Sequence, residues 1–200
     1  HTAEEWNAIA EVVMHTGAFL LHDAAMERLL YTGKPVIHPA SLDGMAEHTI
    51  TVGCVSKEYR MIGWRVGWVV GPANILTDVA RVSITNVVCQ TGIAMGAVAV
   101  AISDKSDGIA ESTGELEARR NLILNQLQDF DVIPPHGGWS MLVDVSSLGM
   151  DGPSASELLL RKGKIAATPM INWGGERCSN YVRLVYSNES LNRLMDIGDR

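Results

Sequence analysis

The sequence predicts an α/β fold in its first half and a small α+β unit in its second, on three observations. Up to about residue 102, apolar residues alternate between helical spacing and short β-branched runs. Residues 103 to 114 are acidic and rich in Gly and Ser, which marks a boundary. Beyond them come one long amphipathic segment and several short strand-like runs, the pattern of helices lying on one face of a mostly antiparallel sheet. The predicted division is residues 1–105 and 106–200.

Thr2 and Glu5 form a Thr-x-x-Glu capping box ahead of Trp6, Ile9, Ala10 and Val13, which recur at helical spacing until Gly17. "AFLLHD" reads as a short strand ending at Asp23, "AAMERLLY" as a helix, and "GKPVIHPASLDGMAE" as a loop. "HTITVGCVS" is a β-branched strand that runs into Lys57, and "GWRVGWVVG" is another strand. Helices are predicted over 73–84 and in the small-residue run "TGIAMGAVAVAI". In the second half, "ELEARRNLILNQLQDF" is a long helix, and strands are expected at "DVIPP", "WSMLVDV", "KIAATPM" and "YVRLVY", with helices over 154–162 and 189–197. The chain opens at "HTAEEW" inside a working element, so it is expected to be a portion of a longer polypeptide.

Composition narrows the function classes. With 46% apolar and 20% charged residues in 200, the chain can bury a core. The net charge of −7 comes without a basic block, which disfavours nucleic acid and anionic membrane surfaces as partners. There is no uninterrupted apolar run of about 18 residues and no basic segment leading into an apolar one at the start. Cys54, Cys89 and Cys178 are odd in number and widely spaced, so reduced thiols in the cytoplasm are expected, and no metal site.

Asp23 and Lys57 each stand at the end of an apolar strand, and in open α/β sheets ligands collect at the carboxyl ends of strands. Taken singly, either residue is equally a solvated surface charge. The pattern around the lysine is more specific. In "SKEYRMIGWRVG", Ser56 and Lys57 are followed by Gly63, Arg65 and Gly67 at set spacing. This segment resembles the lysine segment of class I/II pyridoxal-phosphate-dependent aminotransferases, of the fold-type-I, aspartate aminotransferase superfamily. "FLLHDAAMERLLYTG" is similar to the family's strand-Asp segment, "PPHGGWSMLVDV" to a strand of its small domain, and "YVRLVYS" to its arginine strand. The likeness covers the chain but only the C-terminal half of a typical member.

The resemblance implies that residues 1–105 are the C-terminal part of a large, three-layer α/β/α cofactor-binding domain and that 106–200 are the small C-terminal domain. It implies pyridoxal 5'-phosphate as cofactor, an amino acid and a 2-oxo acid as substrates, and a homodimer when intact. Lys57 would be the imine-forming catalytic residue and proton shuttle. A free lysine titrates near ~10.4, so that role calls for desolvation or a nearby cation. Asp23 would pair with the pyridine nitrogen, Arg65, Ser56 and Cys54 would line the phosphate, and Arg183 would grip the substrate carboxylate as a planar bidentate donor. Trp139, after Gly137 and Gly138, is a candidate for the substrate pocket. Trp64, Trp68 and Trp173 read as core or interface aromatics, His22 as a structural histidine on the face opposite Asp23, and Arg60 as a solvated cation.

The chain departs from the family's pattern at three positions and, most of all, in its extent. Cys54 stands where a phosphate-binding hydroxyl is usual, Met26 where a tyrosine is, and Arg60 where a small or amide residue is common. The upstream phosphate loop and stacking aromatic are missing from this sequence. Two other functions share the scaffold: a lyase or decarboxylase, and a cofactor-sensing aminotransferase-like domain of a transcriptional regulator.

Overall fold

The computed structural model describes residues 1–31 and 33–200, which divide into two compact units. The first comprises His1–Leu29 and Gly33–Ile109; the second is residues 110–200 together with Leu30 and Tyr31. The division falls between Ile109 and Ala110, at the start of the long helix of the second half.

In the first unit, α1 (Ala3–Thr16) begins with the predicted capping box. The Glu5 N–H donates to Thr2 Oγ1 at 3.2 Å and the Thr2 N–H to Glu5 Oε2 at 2.7 Å, satisfying donors that a helix start leaves open. Gly17 ends the helix at φ 67°, the left-handed cap that residues with a Cβ adopt at a cost. Trp6, Ala10 and Val13 form the buried stripe, and the last two pack on Met45 with Leu20 and Leu42.

The sheet has the order β1-β2-β3, from Leu20–Asp23, Thr49–Cys54 and Gly67–Val70. β1 and β2 are parallel, with Asp23 opposite Val52; β2 and β3 are antiparallel, with Cys54 opposite Gly67. Gly53 is required where it stands, because a Cβ there would lie 2.5 Å from the ring of its cross-strand partner Trp68. The helix expected over "AAMERLLY" is absent, and residues 25–28 form turns. Asp23 Oδ1 accepts the Ala25 N–H at 3.0 Å, a donor that a helix start leaves open in any case, whereas Glu58 accepts the Arg28 N–H at 2.7 Å, a donor that a helix would use internally.

α2 (Ala73–Val87) and α3 (Met95–Ser103) follow β3. α2 buries none of its residues: Val82 and Ile84 are 60% and 63% exposed, and every residue of β3 is exposed. An apolar helix and strand with no buried face are unpartnered surfaces. No single helix among the described residues is long and apolar enough to cross a membrane.

In the second unit, α4 (Ile109–Gln126) precedes β4 (Asp131–Ile133) and β5 (Ser140–Asp144). α5 (Gly152–Leu158) runs into a π-turn over Leu159–Gly163, and β6 (Thr168–Pro169), β7 (Tyr181–Val185) and the short α6 (Leu191–Leu194) complete the chain. The sheet order is β4-β5-β7-β6 and every pairing is antiparallel. Alternation puts Met141, Val143, Val182 and Leu184 on the buried face, where Leu127 of the turn after α4 and Ala155 of α5 join them. Tyr186, just past β7, is buried, with its hydroxyl 3.3 Å from that of Tyr31. Burial is the main reason its ionisation is pushed far above the usual phenol range, so it stays a neutral hydrogen-bonding group.

The alternation on β7 is testable by paired truncations. Val182→Ala should destabilise the folded protein by about 2 kcal/mol, and Val185→Ala on the opposite face by less than about 0.5 kcal/mol, in urea unfolding monitored by circular dichroism.

Candidate active site

Beyond β2 the backbone enters a turn pinned on both sides by buried residues. Val55 is fully buried and its N–H donates to the Val66 carbonyl at 3.2 Å; the two valines pack with Ala94 and Val98 of the α3 region. Inside that closure, the Arg60 N–H donates to the Lys57 carbonyl at 3.1 Å and the Met61 N–H to the Val55 carbonyl at 3.2 Å. Tyr59 and Met61 pack onto the same apolar cluster. Lys57 is half-buried on this turn, between buried Val55 and buried Glu58.

Arg65 closes the turn in the left-handed region, at φ 57° and ψ 45°. A non-glycine residue there is strained and persists only where its surroundings hold it. Its guanidinium donates from Nη1 to the Ile62 carbonyl at 2.8 Å and to Ser56 Oγ at 3.3 Å. The structure thus brings Ser56, Lys57 and Arg65 onto one turn, directly after Cys54 at the end of β2. Arg60 is also left-handed, at φ 57°, and exposed.

Asp23 ends the neighbouring strand β1, in register with Val52. Next to it, His22 meets the Trp6 ring edge-on at 5.7 Å, so alternation directs Asp23 to the opposite, exposed face. Desolvation lowers the His22 pKa, against the opposing pull of Glu27, which makes it a neutral structural ring. Asp23 and the Lys57 turn therefore occupy the carboxyl ends of adjacent parallel strands, where α/β sheets gather ligands.

Arg183 and Trp139 belong to the second unit. Arg183, half-buried on the outward face of β7, is paired with Leu142 and Thr168, and its Cζ lies 5.6 Å from the centre of the Trp173 ring. Trp173 is 63% exposed, so it is not a core aromatic. Trp139 precedes β5, and its carbonyl accepts the Tyr186 N–H at 2.9 Å. Each unit keeps its own part of the predicted set: Asp23, Cys54, Ser56, Lys57 and Arg65 in the first, Trp139 and Arg183 in the second.

Two residues that sequence reasoning passed over stand out. Glu58 is a buried carboxylate next to Lys57; its partner lies thirty residues upstream, so spacing gives no sign of it. Tyr31, whose hydroxyl donates to the Gly138 carbonyl and whose N–H donates to the His136 carbonyl at 2.9 Å, packs with both partners inside the second unit, before β5. The "LLY" run before it carried no turn or motif signal.

Chemically, the turn offers an amine, a guanidinium and a hydroxyl within one short stretch, with a carboxylate at the next strand end. That donor set suits a ligand with a phosphate, an electrophilic carbon and a basic ring nitrogen. The comparisons point the same way. The family model described as aminotransferase class I and II matches residues 1–196. An aromatic-amino-acid aminotransferase of Thermococcus litoralis is 29% identical over 201 residues, covering 98% of this chain and 51% of that protein. A probable aspartate/prephenate aminotransferase of Aquifex aeolicus is 32% identical, covering 92% and 48% respectively. Among solved structures, the aromatic aminotransferase from Pyrococcus horikoshii superposes with a TM-score of 0.92 at 27% identity, over 100% of this chain and 54% of that one. The chain thus spans about half the length of these relatives. With nearly its whole length matched, it belongs to the class I and II aminotransferase family.

Proposed function

We propose that the intact polypeptide is a pyridoxal-phosphate-dependent aminotransferase moving an amino group between an amino acid and a 2-oxo acid. The observation that carries this is the pinned turn holding Lys57, Ser56 and Arg65 at the end of β2, beside Asp23 at the end of β1. The residues fit the cofactor: two adjacent donors for a phosphate, an amine on the same turn, and an exposed carboxylate for a protonated ring nitrogen. Bound there, pyridoxal phosphate supplies an aldehyde to the lysine and a ring that withdraws electrons from the substrate α-carbon.

Arg65 and Ser56 hold the phosphate, with Cys54 lining it as a weak donor. Asp23 holds the ring nitrogen in its protonated form. Lys57 Nζ would take the proton from the amino acid's α-carbon and deliver it to the carbon that the cofactor's aldehyde supplies, and would carry one in the reverse direction to the 2-oxo acid in the second half of the exchange; a turn fixed at both ends keeps that nitrogen in place. Arg183 receives the substrate carboxylate, its guanidinium oriented against the Trp173 ring. Trp139 walls the substrate pocket. The lyase reading is not favoured, since the relatives named above are aminotransferases.

In the same reading, the first unit is the C-terminal part of the large cofactor domain and the second is the small domain. The unburied apolar residues of α2 and β3 fit contact with the part of the relatives' length that this chain does not span. The intact protein is a cytoplasmic homodimer, to which three free cysteines are suited.

Two experiments on the full-length protein test the proposal. Borohydride treatment after incubation with pyridoxal phosphate should fix a covalent adduct that peptide mass spectrometry locates on Lys57, and Lys57→Ala should lower amino transfer by at least about 10³-fold. No adduct on Lys57 contradicts the assignment. Arg183→Lys should raise KM for the amino donor about tenfold or more, because a point charge cannot replace a bidentate fork; an unchanged KM would remove Arg183 from the substrate site.

A further inference from the structure

Glu58 is 6% exposed, at a place in the chain where its neighbours on both sides, Lys57 and Tyr59, are only half-buried. A carboxylate is costly to bury, and persists inside a protein where a partner holds it. Its partner is a backbone group: Glu58 Oε1 accepts the Arg28 N–H at 2.7 Å. Arg28 is itself fixed, its guanidinium donating to Asp107 Oδ2 at 2.6 Å. Burial pushes the Glu58 carboxyl above the usual range, while the Arg28 N–H and the Arg28 charge pull it back and Glu27 and Asp107 add to the push.

The segment held in this way is the one that follows Asp23. Between Asp23 and Leu29 the backbone is a succession of turns, anchored at one end by Asp23 Oδ1 on the Ala25 N–H and at the other by Leu29, which is 2% exposed. Its own bonds are two turn contacts, from the Glu27 N–H to the Ala24 carbonyl at 3.4 Å and from the Leu29 N–H to the Met26 carbonyl at 3.1 Å, and bonds from outside complete its placement, the first of them from the Ala24 N–H to the Val52 carbonyl at 2.8 Å. Glu58 supplies one from the residue adjacent to Lys57.

We infer that Glu58 is a positioning residue for the cofactor site: its buried carboxylate, bonded to the Arg28 N–H, fixes the turn that carries Lys57 against the turn that follows Asp23. The inference rests on the proposed role of Lys57. It couples the amine and the ring-nitrogen partner mechanically, although Asp23 ends β1 and Lys57 lies on the turn after β2. A displacement of about 1 Å between such groups is enough to cost about 100-fold in rate.

The test uses full-length protein and three variants. E58Q keeps an acceptor of the same length, E58L removes it at similar volume, and E58D shortens its reach by one methylene. Three readouts apply: amide hydrogen exchange over residues 24–31 of the cofactor-free protein, the rate of the borohydride-fixed adduct at Lys57 with pyridoxal phosphate, and kcat against KM. E58Q should keep the exchange protection and an adduct rate within about 3-fold of the parent. E58L should lose the protection, form the adduct at least about tenfold more slowly, and lose about 10- to 100-fold in kcat, with KM for the amino donor little changed. Where E58L does not fold, E58D is read against E58Q in the same three measurements, with losses in the same direction. Equal adduct rates and kcat in the parent and in folded E58L or E58D overturn the inference, and so do equal losses in E58Q and E58L, since the acceptor would then not matter. A parent protein with no adduct on Lys57 overturns both this inference and the proposed function, which separates the two failures.

Discussion

The burial of Val55 against Val66, Ala94 and Val98 is the constraint on which the candidate site depends. Val55 follows the last residue of β2 and Val66 precedes the first residue of β3, and the bond from the Val55 N–H to the Val66 carbonyl closes the loop between the strands. The candidate groups on the Lys57 turn hang on that closure. Ser56 and Lys57 stand immediately inside it at one end of the loop, and Arg65 immediately inside it at the other, so packing of four apolar side chains brings the hydroxyl, amine and guanidinium onto one turn. Strain at Arg60 and Arg65, both left-handed, costs on the order of 1–3 kcal/mol each, and the buried cluster beneath is what absorbs it.

A second layer of constraint is polar. The connection from β1 to β2 contains little regular structure, yet its first residues carry Asp23 and the turns behind it. Backbone amides there are satisfied by Asp23 itself and by Glu58, and the following residues by a bridge to His136 and Gly137. A helix in this place would use the Arg28 amide internally and leave Glu58 buried without its partner. The irregular connection and the buried carboxylate thus explain each other.

Much of this was readable from sequence, for identifiable reasons. The capping box at Thr2 and the Gly17 stop are local rules, and α1 follows them. The strand at "HTITVGCVS" and the Lys57 to Arg65 spacing were legible because β-branched runs and glycine positions are local too. "AAMERLLY" misled because its helical propensity is genuine; contacts thirty and more residues away override it. The final helix, expected over 189–197, shrinks to Leu191–Leu194, and "KIAATPM" yields only a two-residue strand. Trp173, expected as a core or interface aromatic, is exposed instead, and spacing along the chain gives no sign of its contact with Arg183 on β7. Burial of Glu58 had no local signature at all.

The central claim is that one pinned turn, with a carboxylate at the next strand end, is the cofactor site of a larger aminotransferase. The most direct measurement is a crystal structure of the full-length protein grown with pyridoxal phosphate. The account predicts continuous density from Lys57 Nζ to the cofactor, the phosphate against Arg65 and Ser56, and Asp23 at the ring nitrogen. Cofactor density elsewhere, or an unmodified Lys57 with Arg65 still bonded only to Ile62 and Ser56, would contradict it.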